Sequence, residues 1–486
     1  MVRWDKYAPF LYALDPNKHL YQDKVNAFLS TRDSSPAWVS TTGTEPVLPT
    51  DDSFYTFIPS NVASSYSLGE IIKYRQVGGG GLSGAASAWQ VIFRSTNSLG
   101  GAIGALTTIV IPTANDNATV VVYPQPMDSA YTNCVTSYSM LVSSMDYQST
   151  ALLNQGRVLV IPDHEGLNAS FTAGILEGQI TLDSIRAYNN FRTTILPLEN
   201  DAFVVCGYSG GSIAAGWAAE LHNSYAPELN IKGFAMGGYV ANITAVVLEV
   251  NSGPFVGFVP PGFLGLAKEY PDLWTLIQQN LIPATSSKFM SALTMCAGES
   301  IATFFGNNVF SYFTSGQALL QIPIVAEVLS KNTLGKTTPT VPMFIYNGVS
   351  DVIAPITAVD NIVDYYCSNG GSVQYYRGAG LDHFSEYGSI GSSLYSFVSS
   401  AFAGTIPNQC QFYGPLPPFV QSSSSALSTT AASTSGTAAS STLSATSPPS
   451  TTLTSPELST LTSPTVTAPA RCWVQASDGS RITLTL

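Results

Sequence analysis

The stretch Gly207-Tyr208-Ser209-Gly210-Gly211 carries the clearest chemistry in this 486-residue chain. A serine hydroxyl is a poor nucleophile alone. It needs exposure, a base to take its proton, and donors for the charge that develops on an attacked carbonyl oxygen. A tight strand-to-helix turn supplies the exposure, and it demands small residues two before and two after the serine, where side chains would collide. Gly207 and Gly211 meet that demand, after the apolar run Phe203-Val204-Val205-Cys206 and before a small-residue helix from about Ser212. The positive end of that helix would face the developing oxyanion. A similar string, Gly81-Leu82-Ser83-Gly84-Ala85, has no strand before it.

The base must come from one of four histidines. His19 lies in an irregular N-terminal stretch, His164 precedes the serine, and His222 sits too far along the helix that follows Ser209. His383, in Gly378-Ala379-Gly380-Leu381-Asp382-His383-Phe384, follows the last strand of the sheet region and can reach across the strand ends. The acid is expected after the strand before it. Asp351 fits, following Met343-Phe344-Ile345-Tyr346-Asn347, and can hold the imidazole in one tautomer. Its rivals fit less well: Asp360 and Asp364 read as exposed faces of a helix, and Asp382 adjoins the histidine too closely to orient it.

These residues need a scaffold, and the pattern supplies one. β-rich segments at 89–96, 106–112, 119–123, 157–162, 202–206, 231–236, 343–347 and 373–376 alternate, in the later half, with helical stretches at 175–195 and 212–222. Several are near-continuous apolar runs, as strands covered on both faces must be. The pattern predicts an α/β fold with a mostly parallel sheet. The expected organisation is an irregular extension over 1–48, core over 49–239, a helical insertion over 240–338, core again over 339–418, and a disordered tail over 419–486. The tail is nearly all Ser, Thr, Ala and Pro from 421 to 470, too polar to offset its chain entropy. The insertion reads as a lid lining an apolar site, or as a helical subdomain that only packs.

Apolar residues make up 45% of the chain, charged residues 10%, and the net charge is −12. Such a chain repels phosphate backbones, so nucleic acid is not an expected partner. No apolar run is long enough for a membrane helix. The stretch after Met1 shows no secretion signal. Even so, sequons at Asn117, Asn168 and Asn242, six cysteines and the Ser/Thr-rich tail point outside the cell, with wall association one form of that expectation.

The chain resembles the fungal secretory lipases of the Candida lipase A type, from about Asp52 to Pro418. The motifs are Asp52-Ser53-Phe54-Tyr55, Tyr123-Pro124-Gln125-Pro126-Met127-Asp128-Ser129, Pro162-Asp163-His164-Glu165-Gly166, Leu182-Asp183-Ser184-Ile185-Arg186-Ala187, Gly207-Tyr208-Ser209-Gly210-Gly211 and Ser224-Tyr225-Ala226-Pro227-Glu228-Leu229, with the segments around Asp351 and His383. The resemblance implies an α/β-hydrolase with an inserted helical cap that hydrolyses acylglycerols or related esters. It implies a triad of Ser209, Asp351 and His383, and an oxyanion hole made by the N–H groups of Asp128 and Gly210. It also implies disulfides Cys134–Cys296 and Cys367–Cys410, with Cys206 a buried thiol and Cys472 left over. No cofactor or metal is needed for this chemistry, the partner is an ester or lipid–water interface, and a monomer is expected. Two other readings keep the fold: a short-chain esterase or secreted serine peptidase, and a non-catalytic cell-wall protein on a hydrolase scaffold.

Overall fold

The computed structural model describes residues 46–113, 119–194, 201–420, 472–475 and 481–484. Its centre is a sheet of ten strands in the order β1-β2-β3-β5-β4-β6-β7-β8-β9-β10. The strands are β1 (Ile71–Val77), β2 (Ala85–Thr96), β3 (Ala102–Pro112), β4 (Val120–Val122), β5 (Val158–Pro162), β6 (Phe203–Tyr208), β7 (Ile231–Gly237), β8 (Met343–Gly348), β9 (Val373–Gly378) and β10 (Gln411–Tyr413). From β5 to β10 every neighbouring pair is parallel, while β1, β2 and β3 form an antiparallel edge that joins at β5.

Strand periodicity explains how both faces are filled. Val120, Val122, Val158, Val160, Phe203 and Val205 point into one core cluster, packed with residues of the helices Gly174–Thr194, Gly210–Tyr225 and Ile356–Ser368. Their neighbours Val121, Leu159, Ile161, Val204 and Cys206 point the other way, onto Leu152, Leu153, Leu394 and Phe397. Side chains alternate across a strand, so a run that is apolar throughout is stable only when both faces are covered.

Two strands of this ten-stranded sheet lie outside the segments read from sequence. β1 is half-exposed and mixes Lys73, Arg75 and Gln76 with its apolar residues, and β10 is three residues long. Edge strands are short or polar for a physical reason, since their outer side meets water.

Between β7 and β8 lie the helices Ile243–Val250, Val259–Glu269, Pro271–Asn280, Pro283–Met290, Ala297–Phe304 and Pro323–Lys331. Four of the six carry proline in the first turn, where its missing N–H costs nothing. No helix among the described residues is long and apolar enough to cross a membrane. The residues beyond 428 form a separate unit, in which Cys472–Gln475 pairs antiparallel with Arg481–Leu484.

Candidate active site

Ser209 stands at the turn between β6 and the helix Gly210–Tyr225, with φ 53° and ψ −125°. A non-glycine residue in that region is strained by roughly 1–3 kcal/mol, so the surroundings must hold it. Ser209 N donates to Gly237 O at 2.9 Å, and Ser212 N donates to Ser209 O at 2.8 Å. The space is closed on both sides: a Cβ on Gly207 would strike the Gly211 carbonyl, and one on Gly211 the Pro124 carbonyl. Only glycine lets the strand and helix approach so closely.

His383 Nε2 lies 2.9 Å from Ser209 Oγ, and His383 Nδ1 lies 2.7 Å from Asp351 Oδ2. An ionised carboxylate accepts, so Nδ1 carries the hydrogen and Nε2 is left to accept from the serine hydroxyl. Asp351 is itself held, its Oδ1 accepting from Ile353 N and Ala354 N at 2.8 Å each. Tyr208 Oη donates to the His383 carbonyl at 2.6 Å. Asn347 was not anticipated from sequence. It is fully buried, its Oδ1 accepts from Tyr239 N and its Nδ2 donates to Ala354 O, so it ties the Asp351 loop to the end of β7.

Asp128 also reaches the site, but not as expected. Its backbone N–H donates to Glu165 Oε1 at 2.9 Å instead of standing ready for an oxyanion. Its carboxyl is the group turned to the serine side, for a Cβ on Gly210 would strike Asp128 Oδ1. Asp128 adopts φ 54°, a conformation in which its N–H meets Glu165. Gly210 opens its helix, where the first N–H groups have no intrahelical acceptor.

A cavity of about 620 Å³ of empty space, partly open to solvent, opens beside these groups. Ser209, Gly210 and Asp128 share its lining with Ile213, Val240, Ile243, Val246, Phe258, Phe263, Leu266, Leu329 and Ile353. Most of that apolar wall belongs to the helices between β7 and β8.

The other candidates fall elsewhere. Asp360 is not on an exposed helix face. It is buried, accepts from Tyr375 Oη at 2.7 Å and pairs with Arg377, because its helix packs on β9. Asp364 is half-buried on the same helix. Asp382 caps the helix His383–Ser389, accepting from Phe384 N and Ser385 N. His222 Nε2 faces Leu229 O, and His164 is buried between Gln125 and Glu177. His19 and Asn117 lie outside the described residues. Asn168 is exposed, while Asn242 spends its amide oxygen capping the helix Ile243–Val250. Cys134 is bonded to Cys296 and Cys367 to Cys410, and Cys206 is a buried free thiol. Among the described residues no cluster of His, Cys, Asp and Glu could hold a metal ion.

A mostly parallel sheet with a serine at the strand-to-helix turn after β6, and a helical insertion after β7, defines the α/β-hydrolase class. Comparison then gives the family. Residues 135–407 match the family described as secretory lipase. Lipase 1 of Candida albicans is 35% identical over 372 residues, 71% of this chain and 77% of that protein. A trichothecene C-3 esterase of Fusarium sporotrichioides is 31% identical over 381 residues, 74% of this chain and 85% of that protein. The closed-state structure of Candida antarctica lipase A is similar at a TM-score of 0.69 and 29% identity, covering 75% of this chain and 88% of that one. The chain belongs to the secretory lipase family and is an ester hydrolase of the lipase and carboxylesterase type. Its compartment is extracellular, where disulfides persist.

Proposed function

We propose that the protein is a secreted lipase that hydrolyses acylglycerols through Ser209, His383 and Asp351. The observation that carries this reading is the continuous chain from Asp351 Oδ2 through His383 to Ser209 Oγ, beside an apolar cavity able to take an acyl chain. His383 Nε2 takes the hydroxyl proton as Ser209 Oγ bonds to the ester carbonyl carbon. Asp351 stabilises the imidazolium that forms. The oxyanion is met by the Gly210 N–H at the positive end of its helix and by the Asp128 carboxyl, which donates while it holds its proton. His383 then gives its proton to the departing alcohol, leaving an acyl-serine. Water repeats the sequence, its proton going to His383 and its oxygen to the acyl carbon, and the freed serine recovers the proton.

A specific observation keeps a second substrate class in view: one relative of comparable similarity is named for an ester of a trichothecene. The test is hydrolysis of a triglyceride emulsion beside a soluble short-chain ester, by the parent protein and by Ser209→Ala. The parent should cleave long-chain substrate, and the variant should lose at least about 10⁴-fold in kcat while keeping its melting temperature. Short-chain turnover alone would move the substrate to small esters. A variant with parental activity would remove Ser209 from the chemistry.

A further inference from the structure

The segment Asp163-His164-Glu165 places three ionisable residues in a row at the end of β5, all at most 2% exposed, and the proton transfers above use none of them. Burying charge is costly, and apolar residues of equal volume would pack this space with less penalty. What they would lack is directed hydrogen bonding, and each of the three has a separate target. Asp163 accepts from Ser137 N at 2.8 Å and from Ser137 Oγ, fixing the helix Thr136–Val142. His164 Nε2 faces Gln125 O at 3.0 Å, and its Nδ1 faces Glu177 Oε2 at 3.1 Å. The Gln125 carbonyl can only accept, so Nε2 donates to it, and Nδ1 shares a proton with Glu177 in one buried pair. Burial works against a charge on the ring, but Glu177, with the Gln125 carbonyl and Asp128, raises its pKa, while burial raises that of Glu177 as well. Glu165 Oε1 accepts from Asp128 N at 2.9 Å.

His164 and Glu165 therefore grip the two ends of the segment 125–128. Its last residue, Asp128, is a non-glycine at φ 54°. Such a conformation persists only when its surroundings over-determine it. The same residue lays its carboxyl against Gly210. A loop released from Glu165 can turn that peptide over and withdraw the carboxyl from the serine.

Resting on the reading of Ser209 as nucleophile, we propose that Glu165 is a positioning residue for the reaction: its hydrogen bond to Asp128 N–H, backed by the His164–Glu177 pair on Gln125, holds the Asp128 loop in its working conformation.

Two substitutions test the reach of the hydrogen bond. Burial pushes the Glu165 carboxyl well above the usual range, so the group acts through its acceptor oxygen. Glu165→Gln keeps that oxygen at the same reach. Glu165→Asp keeps a carboxyl and draws the oxygen back by one methylene. With a soluble nitrophenyl ester, Glu165→Gln should stay within about 3-fold of the parent in kcat, while Glu165→Asp should fall about 10- to 100-fold at nearly unchanged KM. Melting temperatures show whether each variant is folded. Amide hydrogen exchange at Asp128 reads the same anchor without reference to turnover. It should be slow in the parent and in Glu165→Gln, and at least about 10-fold faster in Glu165→Asp. Exchange that is equal in all three, or turnover in Glu165→Asp that matches or exceeds that of Glu165→Gln, overturns the proposal. If no protein in the series cleaves ester but the order of exchange holds, the anchor stands and the nucleophile reading alone has failed.

Discussion

Glu386 sits one helical turn beyond His383, fully buried, and neither carboxyl oxygen has a hydrogen-bond partner among the described residues. Burial first, and then the negative Asp351 nearby, push its pKa from 4.5 up to about 7. The folded protein thus keeps a proton that the unfolded chain gives up above its lower pKa. Stability therefore declines as pH climbs from about 4.5 through about 7, then levels off. Glu386→Gln abolishes that ionisation, so it should gain on the order of 2–3 kcal/mol relative to the parent near pH 8 and almost nothing near pH 4. Urea unfolding at the two pH values measures it, and an equal gain at both would assign the effect to packing instead. The meeting of Ser209, Asp351 and His383 could be expected at this scale because few residues offered the chemistry proposed for them: one elbow had its strand, and four histidines left one after the sheet. Glu165 was less legible. The signal was present, three ionisable residues straight after an apolar strand, but nothing in the spacing says that a glutamate side chain will meet a backbone N–H 37 residues earlier.

At the scale of elements, the site depends on where β6, β7 and β8 end. Gly238 follows β7 with φ +49°, and a Cβ there would lie 2.7 Å from His383 Cε1 and 2.9 Å from the Tyr208 ring. Gly238→Ala pays twice, in backbone strain and in displacement of the imidazole. It should lose about 10- to 100-fold in kcat and about 1–2 kcal/mol in stability. Steady-state kinetics with a melting curve tests this, and parental kcat in the variant would show that the imidazole tolerates displacement. The burial of Asp360 is decided at this scale too. A helix was expected around it, but which face is covered depends on β9, whose Tyr375 and Arg377 turn Asp360 from an apparent surface residue into a buried partner.

Across the whole molecule, the helices after β7 are fastened to the core beside the Asp128 loop. Cys134 and Cys296, 162 residues apart, are joined there, and Ser129 Oγ donates to Met295 O at 2.8 Å next to the bond. Lys268 adds a second clasp, donating from the helix Val259–Glu269 to Ala130 O at 2.6 Å and Asn168 O at 2.7 Å. A cross-link closing so long a loop chiefly restricts the unfolded chain. The Cys134→Ser/Cys296→Ser double variant should therefore lose about 2–5 kcal/mol. Denaturant unfolding with and without dithiothreitol checks it. The reductant should destabilise the parent by more than it destabilises the double variant, and an equal effect on both would mean this bond carries no stability.

The sequence by itself determined the parallel sheet, the serine turn, the partners that could serve it and the helical stretch that walls the cavity. Each of these is written in local composition and period: apolar runs, glycines flanking a serine, a scarcity of histidines. Only the tertiary structure decided that the Asp128 N–H turns to Glu165, that Asp360 is buried and that Glu386 has no hydrogen-bond partner among the described residues. Those outcomes depend on which surfaces meet across the ends of the strands, and side chains far apart in the chain acquire their acceptors, their burial and their protonation only when the strands have set them face to face.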